Sequence, residues 1–113
     1  MQDGAPLMSF GVMGGPMQAQ GHVQMVTRMM VHGQSPQAAS DAPRWRFVSG
    51  VEVAVESTMP DETVAALESM GHKITREAPD NAFGFGGAQL IARQGDGYVA
   101  GSDHRKDGCA VGF

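Results

Sequence analysis

Cysteine occurs once in this chain, at Cys109, so no disulfide can form within it and its thiol content marks no compartment. Basic residues are few as well. Eight lysines and arginines stand scattered against twelve acidic residues, giving a net charge of −4 and a pI near 5.4. Such a balance attracts neither phosphate backbones nor anionic lipid, so no nucleic acid and no membrane surface is expected as a partner. Long apolar runs are missing too: nowhere do the roughly eighteen consecutive apolar residues of a membrane span occur. The opening MQDGAPLMSF has no basic n-region and does not read as an export signal, which leaves localisation open. What is present is a 42% hydrophobic content in 113 residues, enough for one compact domain over residues 1–113.

The chain reads as α+β, with about three helices among mixed strands. Pro6 to Val12 is apolar and stops at glycine, as in a short strand covered on both faces. From Gln18 to His32, Val23, Val26 and Met30, joined by Met25 and Met29, recur at helical spacing, with Gly33 as the stop. Ser35 can cap a second helix from Pro36 to about Asp41, which Pro43 ends. RWRF and VEVAVES alternate like half-buried strands joined through Ser49-Gly50, with Val51, Val53 and Val55 on one face and Glu52 and Ala54 on the other. PDETVAALESMG reads as a third helix, with acidic residues in its first turn and Val64, Leu67 and Met70 on one face. HKITREA, AFGFGGAQLIAR and GYVAGSD complete the strands, the last two joined through Gln94 to Gly97.

The stretch FGVMGGPMQ places Gly14 and Gly15 between the first strand and the first helix. A strand that ends in glycine and feeds a helix leaves N–H groups unpaired, and the helix dipole adds positive potential there. A phosphate-binding loop would need a Lys-Ser/Thr end, and a dinucleotide fingerprint a third glycine; neither is present. A plain tight turn and an oxyanion hole remain. Other chemistries find less. His22, His32, His72 and His104 lack metal-ligand spacing, so no metal and no cofactor is expected. Met25, Met29 and Met30 read as core filler rather than copper ligands. Ser102, Asp103 and His104 are adjacent on a strand and point apart, which excludes a catalytic relay among them. Cys109 reads as a small buried residue.

The strings FGVMGGPMQAQGHVQMV, SPQAASDAPRWRF, GGAQLI and GSDHRKDGCAVG, in that order, resemble the C-terminal part of the small subunit of γ-glutamyltransferases, or glutathione hydrolases. The resemblance implies an N-terminal-nucleophile hydrolase, in which this chain forms the C-terminal portion of an αββα four-layer sandwich. In that family the precursor cuts itself, and the freed N-terminal threonine attacks the γ-glutamyl carbonyl before the acyl group passes to water or an amine. Gly14 and Gly15 match the pair whose N–H groups hold the oxyanion. Asp103 and Arg105 match an Asp-Pro-Arg motif expected to form a structural ion pair, with His104 in place of the proline. Arg44 and Trp45 match an APRW motif of packing residues, with Trp45 expected to bury a large area.

Thr27, Thr58, Thr63 and Thr75 all lie in unrelated contexts, so the resemblance implies a nucleophile outside this chain. The large-subunit arginine and the upstream Ser, Asn and Asp residues that hold the substrate in that family are likewise not here. The expected partners are therefore the remainder of the small subunit and the large subunit, with a small γ-glutamyl substrate. The chain reads as a fragment beginning midway through the small subunit and inactive alone. A second reading is a non-catalytic structural or partner-binding domain of the same kinship, whose exposed strand edges would also let copies pair.

Overall fold

The computed structural model describes residues 1–78 and 84–112. The elements follow in the order β1 (Met8–Met13), α1 (Met17–Val26), α2 (Pro36–Asp41), β2 (Trp45–Ser49), β3 (Glu52–Glu56), α3 (Asp61–Ser69), β4 (Lys73–Glu77), β5 (Gly87–Gln94) and β6 (Gly97–Ser102). They build two three-stranded sheets, ordered β1-β5-β6 and β2-β3-β4. The first is antiparallel throughout, with Phe10 opposite Leu90 and Leu90 opposite Gly101. In the second, β2 and β3 form a hairpin with a bulge between Phe47 and Ser49, and α3 carries the chain across to β4, parallel to β3. Helices α1 and α2 pack on the first sheet and α3 packs on β4.

Local chemistry explains the helix ends. Ser35 Oγ accepts from the Ala38 N–H at 3.2 Å and Pro36 opens α2, the cap and first-turn residue the sequence predicts. Helix α1 widens into π-helical turns over Thr27–Val31 and stops at Gly33, whose φ is +65°.

The buried face of α1 differs from the one that periodicity selects. Met17, Gly21, Gln24 and Met25 face inward, while Val23, Val26 and Met30 are exposed. Met25 is fully buried among Val12, Ala39, Ala88 and Leu90, with Phe10 and Met29 packed against them. The stripe turns because Gln24 takes an inward position for its hydrogen bonds. Its side-chain amide donates to the Trp45 carbonyl at 2.7 Å and its oxygen accepts from the Trp45 N–H at 3.3 Å. One turn earlier, Gln20 Oε1 accepts from the Phe47 N–H at 2.6 Å. Two glutamines of α1 thus satisfy part of the outer edge of β2. Gln37 of α2 does the same on β6, donating to the Ser102 carbonyl at 2.9 Å and accepting from its N–H at 3.1 Å. Side-chain amides carry the same donor and acceptor pair as a backbone peptide, so Gln24 and Gln37 act as short strand mimics on otherwise open edges, while Gln20 contributes its oxygen alone.

Further expectations need correction. Strand β1 is covered on one face only, with Val12 buried and Ser9, Gly11 and Met13 exposed. In β3, Ala54, Val55 and Glu56 are all buried, so alternation fails where the strand enters the interior. Helix α3 buries Val64 and half-buries Leu67, but Met70 beyond its end is exposed. Strand β5 begins at Gly87 because Gly84 to Gly86 form a turn; Ala82 and Phe83, read as its start, lie outside the described residues.

Close packing of α1 on β1 requires Gly21. A Cβ there would lie 2.5 Å from Val12 Cγ1 and 3.2 Å from its Cβ. Gly21→Ala gains about 1 kcal/mol of helix propensity, but forcing a methyl against a buried β-branched side chain costs about 1–3 kcal/mol. The expected net result is a lowered urea midpoint with an unaltered m-value; a raised midpoint would show that the contact relaxes freely.

Candidate functional site

The strand-to-helix corner is built by two glycines in backbone conformations that side chains rarely adopt. Gly14 has φ +132° and Gly15 φ +58°. Their carbonyls accept from the Met17 and Gln18 N–H groups at 3.1 and 2.9 Å, so the first helical donors are already paired. Among the described residues, the N–H groups of Gly14 and Gly15 themselves have no acceptor. The donors left over are therefore those of the glycine pair rather than of the helix. Gly14 is also wedged tightly, since a Cβ on it would sit 2.9 Å from Gly86 Cα. It lines a cleft of about 300 Å³ whose other walls include Met17, Gln20, Arg46 and Phe47.

A second constellation is a buried cluster of charges. Arg44 is fully buried and its Nη2 meets Asp103 Oδ2 at 2.5 Å. The same oxygen accepts from the Ala88 N–H at 2.6 Å, and Oδ1 accepts from the Arg105 N–H at 2.9 Å and from Arg105 Nη1 at 3.2 Å. Glu56, also fully buried, takes the Nε and Nη2 groups of Arg105 and accepts from the Arg44 N–H at 2.8 Å. Arg44 further donates to the Phe85 carbonyl, and Arg105 to that of Ser40. Two cations and two anions thus link the end of β3 in one sheet to the chain around β5 and β6 in the other, each charge held by a partner, as burial requires. Beside them Arg28 donates to the carbonyls of Ala39, Ala42 and Pro43 at the end of α2.

The titration of these groups follows from their surroundings. Burial works to raise the Asp103 carboxyl, but the N–H groups of Ala88 and Arg105 and the Arg44 guanidinium outweigh it and hold it below its ordinary value. Burial, then repulsion from Arg105, lowers Arg44. Burial also opposes the charge of Arg105, yet the hydrogen bonds and charge of Glu56 prevail and raise it. Arg28, desolvated and facing Arg44 and Arg105, is lowered to about 10.

Of the residues singled out from the sequence, Arg44, Asp103 and Arg105 meet in this cluster, while Gly14 and Gly15 lie at the separate corner. Trp45 departs from expectation: 40% exposed, it is held by its backbone through Gln24, and it lines an open apolar groove with Val53, Met59 and Leu67. Cys109 is exposed rather than buried. Asp103 is buried while its neighbour His104 turns outward to Asp41 at 3.2 Å. His22 bonds the Gln18 carbonyl and the Val12 N–H. Among the described residues no three His, Cys, Asp or Glu side chains gather as metal ligands would. Glu56 is the member that sequence reading missed, since a glutamate in VEVAVES reads as solvent-facing.

The mixed α+β arrangement of helices packed against two sheets matches solved structures of a cephalosporin acylase and of γ-glutamyltranspeptidases, which have the N-terminal-nucleophile hydrolase fold. The chain belongs to the gamma-glutamyltranspeptidase family, whose model matches residues 1–113. It is 34% identical over 116 residues to a glutathione hydrolase-like proenzyme of Bacillus subtilis, covering 97% of this chain and 22% of that protein. It is 29% identical over 113 residues to the oxamate amidohydrolase proenzyme of Klebsiella pneumoniae, covering 95% and 21% respectively. The crystal structure of a cephalosporin acylase from Bacillus halodurans superposes with a TM-score of 0.85 at 42% identity, covering 93% of this chain and 20% of that one. The chain spans about a fifth of the length of these three relatives.

Proposed function

We propose that this chain is the C-terminal portion of the small subunit of a γ-glutamyltransferase-like amide hydrolase or transferase, and that Gly14 and Gly15 supply its oxyanion hole. The observation carrying this reading is the pair of glycine N–H groups without acceptors among the described residues, beside a cleft. When a nucleophile attacks an amide carbonyl, negative charge gathers on oxygen, and fixed donors aimed at that point lower the barrier by several kcal/mol. The attacking threonine comes from polypeptide outside this sequence, and the acyl group then passes to water or an amine. Arg44, Asp103 and Arg105 act as scaffolding that ties the two sheets together.

The relatives' names span glutathione, oxamate and cephalosporin chemistry, so the shared assignment is amide cleavage rather than one substrate. A partner-binding role draws on exposed Val23, Val26, Met30 and Val31, and docking against the rest of a precursor needs the same surface. The deciding experiment follows release of the chromophore from a γ-glutamyl anilide. The expected result is no turnover by residues 1–113 alone and turnover once the remaining segments of the precursor are supplied; robust activity of the isolated chain would overturn the assignment.

A further inference from the structure

We infer that His22 is a positioning residue: it ties the strand before the glycine corner to the helix after it and so fixes the aim of the Gly14 and Gly15 N–H groups. The inference rests on the oxyanion reading of that corner and adds to it the side chain that holds the corner in shape. Two consecutive glycines have wide backbone freedom and no side chains of their own to restrain them, so donors carried on them are preorganised only if the flanking chain is fixed.

Strand β1 is the outer strand of its sheet. The Arg93 N–H donates to the Leu7 carbonyl at 2.9 Å, and with the β1–β5 register this puts Ser9, Gly11 and Met13 in the bonded pairs and turns the N–H and carbonyl groups of Met8, Phe10 and Val12 to the open edge. Val12 is only 3% exposed, so its outward N–H needs an acceptor from the protein. His22 Nε2, reaching over from α1, takes it at 3.4 Å. The other ring nitrogen, Nδ1, donates to the Gln18 carbonyl at 2.6 Å. A backbone N–H only donates and a carbonyl only accepts, so the two partners dictate a neutral ring with its proton on Nδ1 and a lone pair on Nε2. The Gln18 N–H in turn donates to the Gly15 carbonyl at 2.9 Å. A hydrogen-bonded loop therefore runs from Val12 through His22 and Gln18 to Gly15, with only Met13 and Gly14 between its ends. Val12 is also held by its side chain, since α1 rests on it at Gly21, where a Cβ would lie 2.5 Å from Val12 Cγ1. The Phe10 ring packs against the imidazole at 5.4 Å between centroids and completes its seat.

The test uses the processed precursor that contains this chain and two variants that each keep half of the imidazole's bonding. Asparagine places its amide near the Nδ1 position and still donates to Gln18, whereas glutamine places its amide oxygen near Nε2 and still accepts from Val12. His22→Asn should lower kcat for amide hydrolysis by about 10- to 100-fold, the scale on which misaimed groups lose rate. KM should hardly move, because the oxyanion exists only after attack. His22→Gln should recover most of kcat; equal losses in the two variants, or a loss carried by KM, would overturn the proposal. Coupling to Gly14→Ala separates this proposal from the oxyanion reading. If Gly14→Ala lowers kcat and His22→Asn does not, His22 has no positioning role while the oxyanion hole stands; if Gly14→Ala leaves kcat at the parent value, the oxyanion reading fails and this proposal with it. In the double variant His22→Asn should add little to the loss from Gly14→Ala, and a full additive loss would place its effect away from the corner. Histidine-selective ¹⁵N labelling, with His22→Gln identifying the resonance by difference, reads the ring directly and needs no turnover. It should show a protonated Nδ1 and a bare Nε2, and a proton on Nε2 would overturn the proposal whatever the rates.

Discussion

Asp103→Ala should destabilise the chain by about 3–5 kcal/mol, the usual consequence of removing one partner from a buried ion pair. The loss is that large because of what remains. Arg44 is fully buried and its Nη2 would face an empty position, while the N–H groups of Ala88 and Arg105 would lose their acceptors as well. Asparagine offers no rescue. Both carboxylate oxygens accept from two donors each, so an amide NH₂ placed at either position meets donors only. Urea unfolding of Asp103→Ala and Asp103→Asn should therefore give similar, severely lowered stabilities; a loss below about 1 kcal/mol for either would show that water reaches the cluster.

The same carboxylate sets a pH dependence of known sign. Its folded-state pKa lies below the ordinary value of 3.8, so the unfolded chain binds its proton more tightly than the folded one. The stabilisation is fully present above about pH 3.8 and drains away as pH falls through the lower, folded-state value. The acid limb of the stability profile should flatten in Asp103→Asn, which has no proton to take up there.

How much of this was legible follows from how local each cause is. The cap at Ser35, the stop at Gly33 and the crossover helix after Pro60 rest on residues within one turn of their effect, and the elements fall where local rules put them. The buried face of α1 was not legible, because its inward position at Gln24 is set by the edge of β2, which lies 21 residues further along. Glu56 was hidden for the same reason: its partner Arg105 is 49 residues away, and alternation alone assigned that strand a solvent face. Trp45 reads as a burial anchor by size, yet it is 40% exposed beside a groove. At the corner, the glycine pair could be seen in the sequence and its motif resemblance named a role. The opposite wall, with Arg46 from β2, and the pressure of Gly86 on Gly14 arise only when distant strands are brought together.

That pressure makes Gly14→Ala the sharpest probe of the proposed chemistry. At φ +132° an alanine is strained whatever the space, and its Cβ would meet the Gly86 backbone at 2.9 Å. Gly86 is itself held in a left-handed conformation, φ +70°, where a Cβ would lie 2.0 Å from the Met13 carbonyl oxygen, so the backbone on that side is closely packed. The corner itself must shift, carrying the Gly14 N–H off its line. In the processed precursor, kcat for amide hydrolysis should fall by about 10²–10³-fold, the effect of losing one oxyanion donor. Gly15→Ala makes the control, because its φ of +58° lies in the left-handed region that alanine enters at about 1–2 kcal/mol and no atom stands within 4 Å of its would-be Cβ. Its loss in kcat should be much smaller than that of Gly14→Ala. Both are to be compared at a temperature where each variant is fully folded, so that stability and chemistry separate. A Gly14→Ala enzyme that is less stable yet turns over at the parent rate would mean that the glycine serves packing alone and that the oxyanion is held elsewhere.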